Sequence, residues 1–345
     1  MTSAVVELDG SEGEGGGQIL RSSLALSLLT GRPFHLRKAR ARRQRPGLQP
    51  QHLMSVNAAA AIGQAKVRGG ELRSTDLFFE PGAIVSGKYD FMIGTAGATG
   101  LVLHTIYLPL ALAGSGPSQL VVGGGTHVDA SPCFHFLDIT WLAYMRLVGI
   151  EVSLEMKRTG FYPRGGGTVI AEIKPCATVR GLHLPERQPV TAASGFSAIA
   201  SLPEHVAERQ ARQARLRMKE TAIAFDVREE RWPGGPGSVM GIVLRTRPAP
   251  TLFFGLGARG KPAERVADEA VDQAIAYMEA GAGALDPHSA DQVVLPLAFS
   301  REPSLFSVAE ISSHLLTNIA VIRRFLDRDI RCEGELGRPG IVRIA

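Results

Sequence analysis

The sequence predicts an α/β (α+β) protein: a large domain with an internal repeat, interrupted late by a smaller α/β domain. Three observations predict it. Short β-like apolar runs alternate with longer helical ones. The order strand, helix, strand, helix, strand, strand recurs at a spacing of roughly 80 residues. The character of the chain changes near Leu184, where a charged helix and a Gly/Pro-rich turn replace the earlier pattern.

The elements follow in order. Ala4–Leu8 is β-like, and the turn Gly13–Gly17 leads into a helix at Gln18–Leu29. Phe34–Arg40 reads as a strand and Pro50–Gly63 as a helix opened by proline. Leu77–Glu80 and Tyr89–Ile93 are strand-like, Gly97–Ala113 is an apolar helix, Gln119–Gly123 a strand and Phe134–Val148 a helix. Glu151–Lys157 and Gly167–Ile173 pair as strands. Beyond Leu184 come a strand at Val190–Ile199, a helix at Pro203–Lys219, strands at Ala222–Glu229, Ser238–Thr246 and Thr251–Gly257, and an amphipathic helix at Ala263–Ala280. A helix near Asp291–Phe299, a strand near Leu305–Ala309 and a last helix around His314 return to the earlier character. The expected division is a large domain, 1–184 with 281–345, and an inserted domain, 185–280.

Of 345 residues, 45% are apolar and 21% charged, as in an ordinary globular protein. No apolar run approaches the roughly 18–20 residues of a membrane span, so no membrane partner is expected. Met-Thr-Ser-Ala-Val-Val-Glu lacks the basic start of a secretory signal. Cys133, Cys176 and Cys332 are too scattered for a disulfide framework or a zinc cluster. A cytoplasmic location is expected. Arg37, Lys38, Arg40, Arg42, Arg43 and Arg45 form a basic run that no acid interrupts. It reads either as a solvated strand edge or as a track for polyphosphate or nucleic-acid backbone.

His314 is the most telling residue. Ser312 and Ser313 precede it and can cap a helix, and Leu315, Ile319, Ile322 and Leu326 follow at helical spacing. A first-turn position sets the ring among unpaired N–H groups that attract phosphate and disfavour its cationic form. A neutral imidazole beside phosphate suits attack on phosphorus; capping is the plainer alternative.

Other motifs divide between loop and site. Gly13-Glu14-Gly15-Gly16-Gly17-Gln18 fails the dinucleotide fingerprint, because Gln18 stands where its last glycine belongs. The stretch is either a flexible turn or a close backbone approach to ligand, with Glu14 holding a divalent metal and Arg21 one turn further in. Gly255-Leu256-Gly257-Ala258-Arg259-Gly260-Lys261 fails the phosphate-loop pattern at Pro262. The turn Pro46-Gly47 can aim Arg43 and Gln51 toward one place. Gly160-Phe161-Tyr162-Pro163-Arg164-Gly165-Gly166-Gly167 is either a hairpin turn or a backbone cradle. Asp291-Gln292 either caps a helix or orients another group.

Taken together, these segments resemble the RNA 3′-terminal phosphate cyclase family. The resemblance rests on Glu12 to Arg21, Arg45-Pro46-Gly47-Leu48 with Gln51-His52, Gly124-Gly125-Thr126, Gly160-Phe161-Tyr162-Pro163, Ala290-Asp291-Gln292, and His314-Leu315-Leu316-Thr317-Asn318. It implies three βαβαββ units and a small thioredoxin-like insert. It implies ATP-dependent closure of an RNA 3′-phosphate to a 2′,3′-cyclic phosphodiester, through AMP carried on His314. By the same resemblance, Glu14 would hold Mg²⁺ or Mn²⁺, and Arg21, Arg43 and Gln51 would grip phosphates. His104, His288, Ser289, Ala290, Asp291 and Gln292 would bind the nucleotide, with Asp291 a partner for the His314 ring. His104 and His288 stand where family members carry glutamine and tyrosine. Ribosome-assembly members of the family lack the nucleophilic histidine, which this chain has. A broader polynucleotide-end adenylyl transferase is a further alternative, and an enolpyruvyl transferase shares only the architecture.

Overall fold

The structure is a computed structural model that describes residues 4–281 and 283–345. Its first unit runs β1 (Val6–Asp9), α1 (Gln18–Thr30), β2 (Phe34–Arg37), α2 (Pro50–Gly63), β3 (Lys66–Arg68) and β4 (Leu77–Glu80). The strands form a four-stranded sheet in the order β1-β2-β4-β3, with β1 and β2 parallel and the other pairs antiparallel. The second unit runs β5 (Lys88–Met92), α3 (Thr99–Ala113), β6 (Ser118–Gly124), α4 (Phe134–Phe136), a π-helical segment Leu137–Trp141, α5 (Leu142–Leu147), β7 (Val152–Arg158) and β8 (Gly167–Ile173). Its sheet order is β5-β6-β8-β7.

A third unit begins with β9 (His183–Leu184), and the chain then builds a different sheet. This comprises β10 (Ala192–Ala200), α6 (His205–Met218), β11 (Phe225–Arg231), β12 (Gly237–Arg245), β13 (Thr251–Leu256) and α7 (Ala263–Glu279), ordered β11-β10-β12-β13. It has its own apolar core, including Met218, Ile242, Leu244, Val266 and Val271. The third unit resumes with α8 (Pro287–Leu297), β14 (Ser304–Val308), α9 (Ser313–Phe325), β15 (Ile330–Gly334) and β16 (Gly340–Ile344), ordered β15-β16-β14-β9. Numbered within each unit, all three of these sheets run first-second-fourth-third. The protein is a mixed α/β fold of four four-stranded sheets.

The helices α1, α2, α3, α8 and α9 pack on one another. Helix α1 is buried nearly all round, which explains why its sequence shows little amphipathic patterning. Leu24 is fully buried, worth about 1.5–3 kcal/mol relative to exposure. The hydroxyl of Ser23 avoids an unmet buried group by donating to Ile19 O at 2.6 Å.

Three expectations need correction. The strand read at Phe34–Arg40 ends at Arg37, because Lys38 and Arg40 take left-handed φ of 54° and 57°. That turn rides on Gly10, where a Cβ would lie 2.6 Å from Lys38 O. The helix read at Phe134–Val148 is not uniformly α, since its middle is the π segment. Helix α8 also starts earlier than read, at Pro287, and its cap is Asp286 rather than Asp291.

Candidate active site

Three helix starts converge on one cleft. Helix α1 follows the Gly-rich turn, in which Gly13 and Gly15 take positive φ of 57° and 61°. Helix α8 is capped by Asp286, whose carboxylate accepts from His288 N and Ser289 N at 3.0 and 2.9 Å. Helix α9 is capped by Ser312, whose hydroxyl accepts from Leu315 N at 3.1 Å. His314 therefore lies in the first turn of α9, as its sequence context predicts.

The cleft has a volume of about 540 Å³, within the ordinary range for small-molecule sites. Arg21, Arg40 and Arg43 line it together with Glu14 and His314. Leu101, Tyr107, Phe136 and Trp141, with Phe254 and Leu256 of β13, add apolar and aromatic lining. His104, His288, Asp291, Gln292 and Gln51 also line it.

Polar contacts lock the helices together. Glu14 N–H donates to Thr317 Oγ1 at 3.0 Å. Asn318 Oδ1 accepts from Gln18 Nε2 at 2.8 Å and from Ser22 Oγ, and its Nδ2 donates to Asp291 O at 2.7 Å. One side chain of α9 thus ties α1 to α8. Arg21 Nη2 donates to Gln18 Oε1 at 2.6 Å. Glu14, with its side chain only 3% exposed, accepts from Gln18 N at 2.9 Å and pairs with Arg43.

Burial works against the ionised form of Glu14. The Gln18 N–H, the Arg43 guanidinium and the His314 ring where it is protonated outweigh it and hold the carboxyl below its ordinary value. For His314, burial is the largest influence and lowers its pKa. Glu14 opposes that, while Arg21, Arg43 and His288 add to it, so the ring is neutral at pH 7. Burial brings Arg21 down to about 10, still charged. Burial and the neighbouring guanidinium groups bring His52 down to about 3, and burial with Arg21 does the same for His104.

Not every expected residue reaches the cleft. Ser289 and Ala290 are buried behind it, and Ser289 Oγ donates to Asp286 Oδ2 at 2.5 Å. Asp291 lines the cleft but makes no hydrogen bond to His314; the carboxylate that acts on that ring is Glu14. Burial pushes the Asp291 carboxyl up to about 8, with Arg21 opposing and Asp286 adding, so it is largely a neutral acid at pH 7. Gln51 spends its carbonyl on Ala98 N at 2.9 Å, which leaves its amide toward the cleft. Of the basic run, Arg40 and Arg43 reach the cleft, Lys38 pairs with Asp9 at 2.7 Å, and Arg42 and Arg45 stand exposed.

Sequence reasoning assigned no role to His52, Tyr107, Trp141 or the β13 wall. A distinct signal marks several of these residues. His52 Nδ1, His104 Nε2, Trp141 Nε1 and Gln292 Oε1 are buried with no hydrogen-bond partner, and all four residues line the cleft. Each such atom costs about 1–3 kcal/mol, so their concentration here marks a surface built to pair with a ligand.

Among the described residues, no three or more His, Cys, Asp or Glu side chains are grouped to hold a metal ion. Glu14 stands alone, with both carboxylate oxygens engaged. A single carboxylate fits the Mg²⁺ pattern in which substrate phosphates and water complete the shell. No helix among the described residues is long and apolar enough to cross a membrane.

The fold and cleft define a repeat-built α/β protein with a basic, helix-capped ligand site. The family model described as RNA 3′-terminal phosphate cyclase matches residues 12–332, and the chain belongs to that family. Relatives named RNA 3′-terminal phosphate cyclase include one from Ectopseudomonas mendocina, 43% identical over 96% of both chains. One from Pyrobaculum neutrophilum is 41% identical over 95% of both. Another, from Ralstonia nicotianae, is 43% identical over 96% of this chain and 94% of its own.

Proposed function

We propose that the protein cyclises RNA 3′-terminal phosphates, using ATP and a covalent histidine–AMP intermediate, with the segment 185–280 as a domain inserted into the third unit. The observation that carries this reading is the neutral His314 at a capped helix start, facing Glu14 and the Arg21–Arg43 pair across one cleft.

His314 attacks the α-phosphorus of ATP through a ring nitrogen. An N–P bond forms, the bond to pyrophosphate breaks, and the arginines stabilise the charge that develops. An oxygen of the RNA 3′-phosphate then takes the AMP from His314, breaking the N–P bond. The vicinal 2′-hydroxyl attacks the activated 3′-phosphorus, loses its proton and expels AMP, closing the ring. That last step is intramolecular, so proximity supplies much of its rate. A divalent ion (Mg²⁺ or Mn²⁺), held by Glu14 and phosphate oxygens, would neutralise phosphate charge. The arginines favour the triphosphate, and the aromatic lining, with its unpaired polar atoms, favours a base.

The test is labelling with α-labelled ATP and a divalent metal. Wild type takes up AMP in an acid-labile, hydroxylamine-resistant bond, and His314→Ala takes up none. Normal labelling of that variant would overturn the reading.

A further inference from the structure

Tyr162 is 77% exposed, while every other Phe, Trp and Tyr among the described residues is buried or half-buried. A singly exposed apolar side chain is ordinary; Tyr162 differs in being a flat ring on a fixed loop, flanked in sequence by unpaired cations. The loop is fixed from below. Phe161 is buried and stacks on His127 with centroids 5.3 Å apart, and Gly165 N donates to Phe161 O at 2.7 Å. Gly160 O accepts from Thr126 N and His127 N at 2.8 and 3.1 Å, and Gly160 N donates to Thr126 Oγ1 at 3.0 Å. A Cβ at Gly165 would fall 2.6 Å from Thr95 O, so this loop lies directly on the one before α3.

Both underlying segments lead to the cleft. The strand of chain bonded to Gly160 continues from Thr126 to Asp129, which lines the cleft three residues on, a reach of at most about 10 Å. The loop before α3 abuts Gln51, another lining residue, with a Gly97 Cβ 2.8 Å from Gln51 Cβ. The surroundings are cationic. Arg158 and Arg164 are exposed and make no ion pair or side-chain hydrogen bond among the described residues, and no acid occurs from Arg158 to Ala171.

We propose that Tyr162 is a stacking platform for a nucleobase of the RNA strand upstream of its 3′-terminal nucleotide, with Arg158 and Arg164 on the flanking phosphates. A flat exposed ring between unpaired guanidinium groups is how single strands are held without reading sequence. This rests on the RNA-end reading above. It extends that reading from the reacting phosphate to the strand behind it.

The test compares wild type, Tyr162→Ala and Tyr162→Trp on a 3′-phosphorylated RNA of about ten nucleotides and on uridine 3′-phosphate, measuring binding and cyclisation separately. Tyr162→Ala is expected to weaken oligonucleotide binding about tenfold and to bind uridine 3′-phosphate like wild type. Tyr162→Trp restores the longer substrate. Arg164→Ala reduces the slope of log affinity against log salt by about one. Equal affinity of wild type and Tyr162→Ala for the oligonucleotide overturns the platform, as does an equal loss on uridine 3′-phosphate. Failure of wild type to cyclise either RNA strikes the reaction assignment instead, and the binding comparison still decides the platform.

Discussion

The hydroxyl of Thr317 on α9 receives the backbone N–H of Glu14, 303 residues earlier in the chain, at 3.0 Å. The same hydroxyl donates to Ser313 O at 2.7 Å. A single side chain thereby sets the distance between the first-turn imidazole of α9 and the carboxylate opposite it. Thr317→Val keeps the shape and leaves the Glu14 N–H unpaired, at a cost of about 1–3 kcal/mol. Urea unfolding should show that loss, and AMP labelling should slow more than the loss of folded protein explains.

Gly16 offers a cleaner separation of fold from site. A Cβ there would lie 2.3 Å from Glu14 Oε2 and 2.6 Å from Arg43 Nη2, both the mobile ends of side chains. Gly16→Ala should therefore leave thermal stability near wild type while driving the pair apart. Labelling should fall at least tenfold, about 1.4 kcal/mol of barrier.

Because His314 titrates below the ordinary imidazole value, the neutral form that the proposed attack requires persists into mild acid. The labelling rate should be level from pH 7 to 8 and fall only as pH drops through the lowered value, below about 6.5. A rate that already halves at pH 7 would contradict the burial seen at this ring.

Asp291 gives stability a pH dependence of the opposite sense. Its carboxyl is raised to about 8 in the fold, so between its unfolded value and pH 8 the native state holds the extra proton. Its contribution is complete in acid and is lost as pH rises toward 8. Asp291→Asn should then exceed wild type by at least about 1 kcal/mol at pH 9. The comparison is read above pH 6.5, clear of the window in which the lowered His52 and His104 cost stability as pH falls.

Arg42 and Arg45 are exposed members of the basic run that neither line the cleft nor pair with an acid among the described residues. If they follow RNA backbone, replacing both with alanine weakens RNA binding about equally for all sequences and flattens its salt dependence. AMP labelling in the absence of RNA supplies the comparison for the wider site.

The sequence reveals this fold where composition or alternation marks an element. Pro50–Gly63, with its opening proline and Ala-rich run, and the apolar strands Leu77–Glu80 and Gly167–Ile173 have the bounds their sequences suggest. It is silent where pairing alone makes the element: β3 is a three-residue exposed edge, and β9 has two residues. The strands β15 and β16 also went unread, their inward Ile330, Val342 and Ile344 being few among charged neighbours. In the cleft, Glu14, Arg21, Arg43 and His314 are legible because helix-start chemistry is local. The roles of Asn318, Trp141 and Phe254 depend on which helices and sheets meet, a relation that no local pattern encodes. Asp291 shows the limit most clearly, because neutralisation by burial follows from neighbours far away in sequence.

The clamp formed by Asn318 has a consequence for synthesis. Domains fold as they emerge, from the N-terminus onward, so the guanidinium wall carried by residues 21–43 exists long before α9 arrives. A product interrupted before Ser312 would carry the anion-attracting half of the cleft without the imidazole, and would leave Gln18 and Ser22 facing a gap where Asn318 belongs. Under the proposed mechanism, completion of the polypeptide and completion of the reactive centre are thus one event, because an unfinished copy lacks the proposed nucleophile.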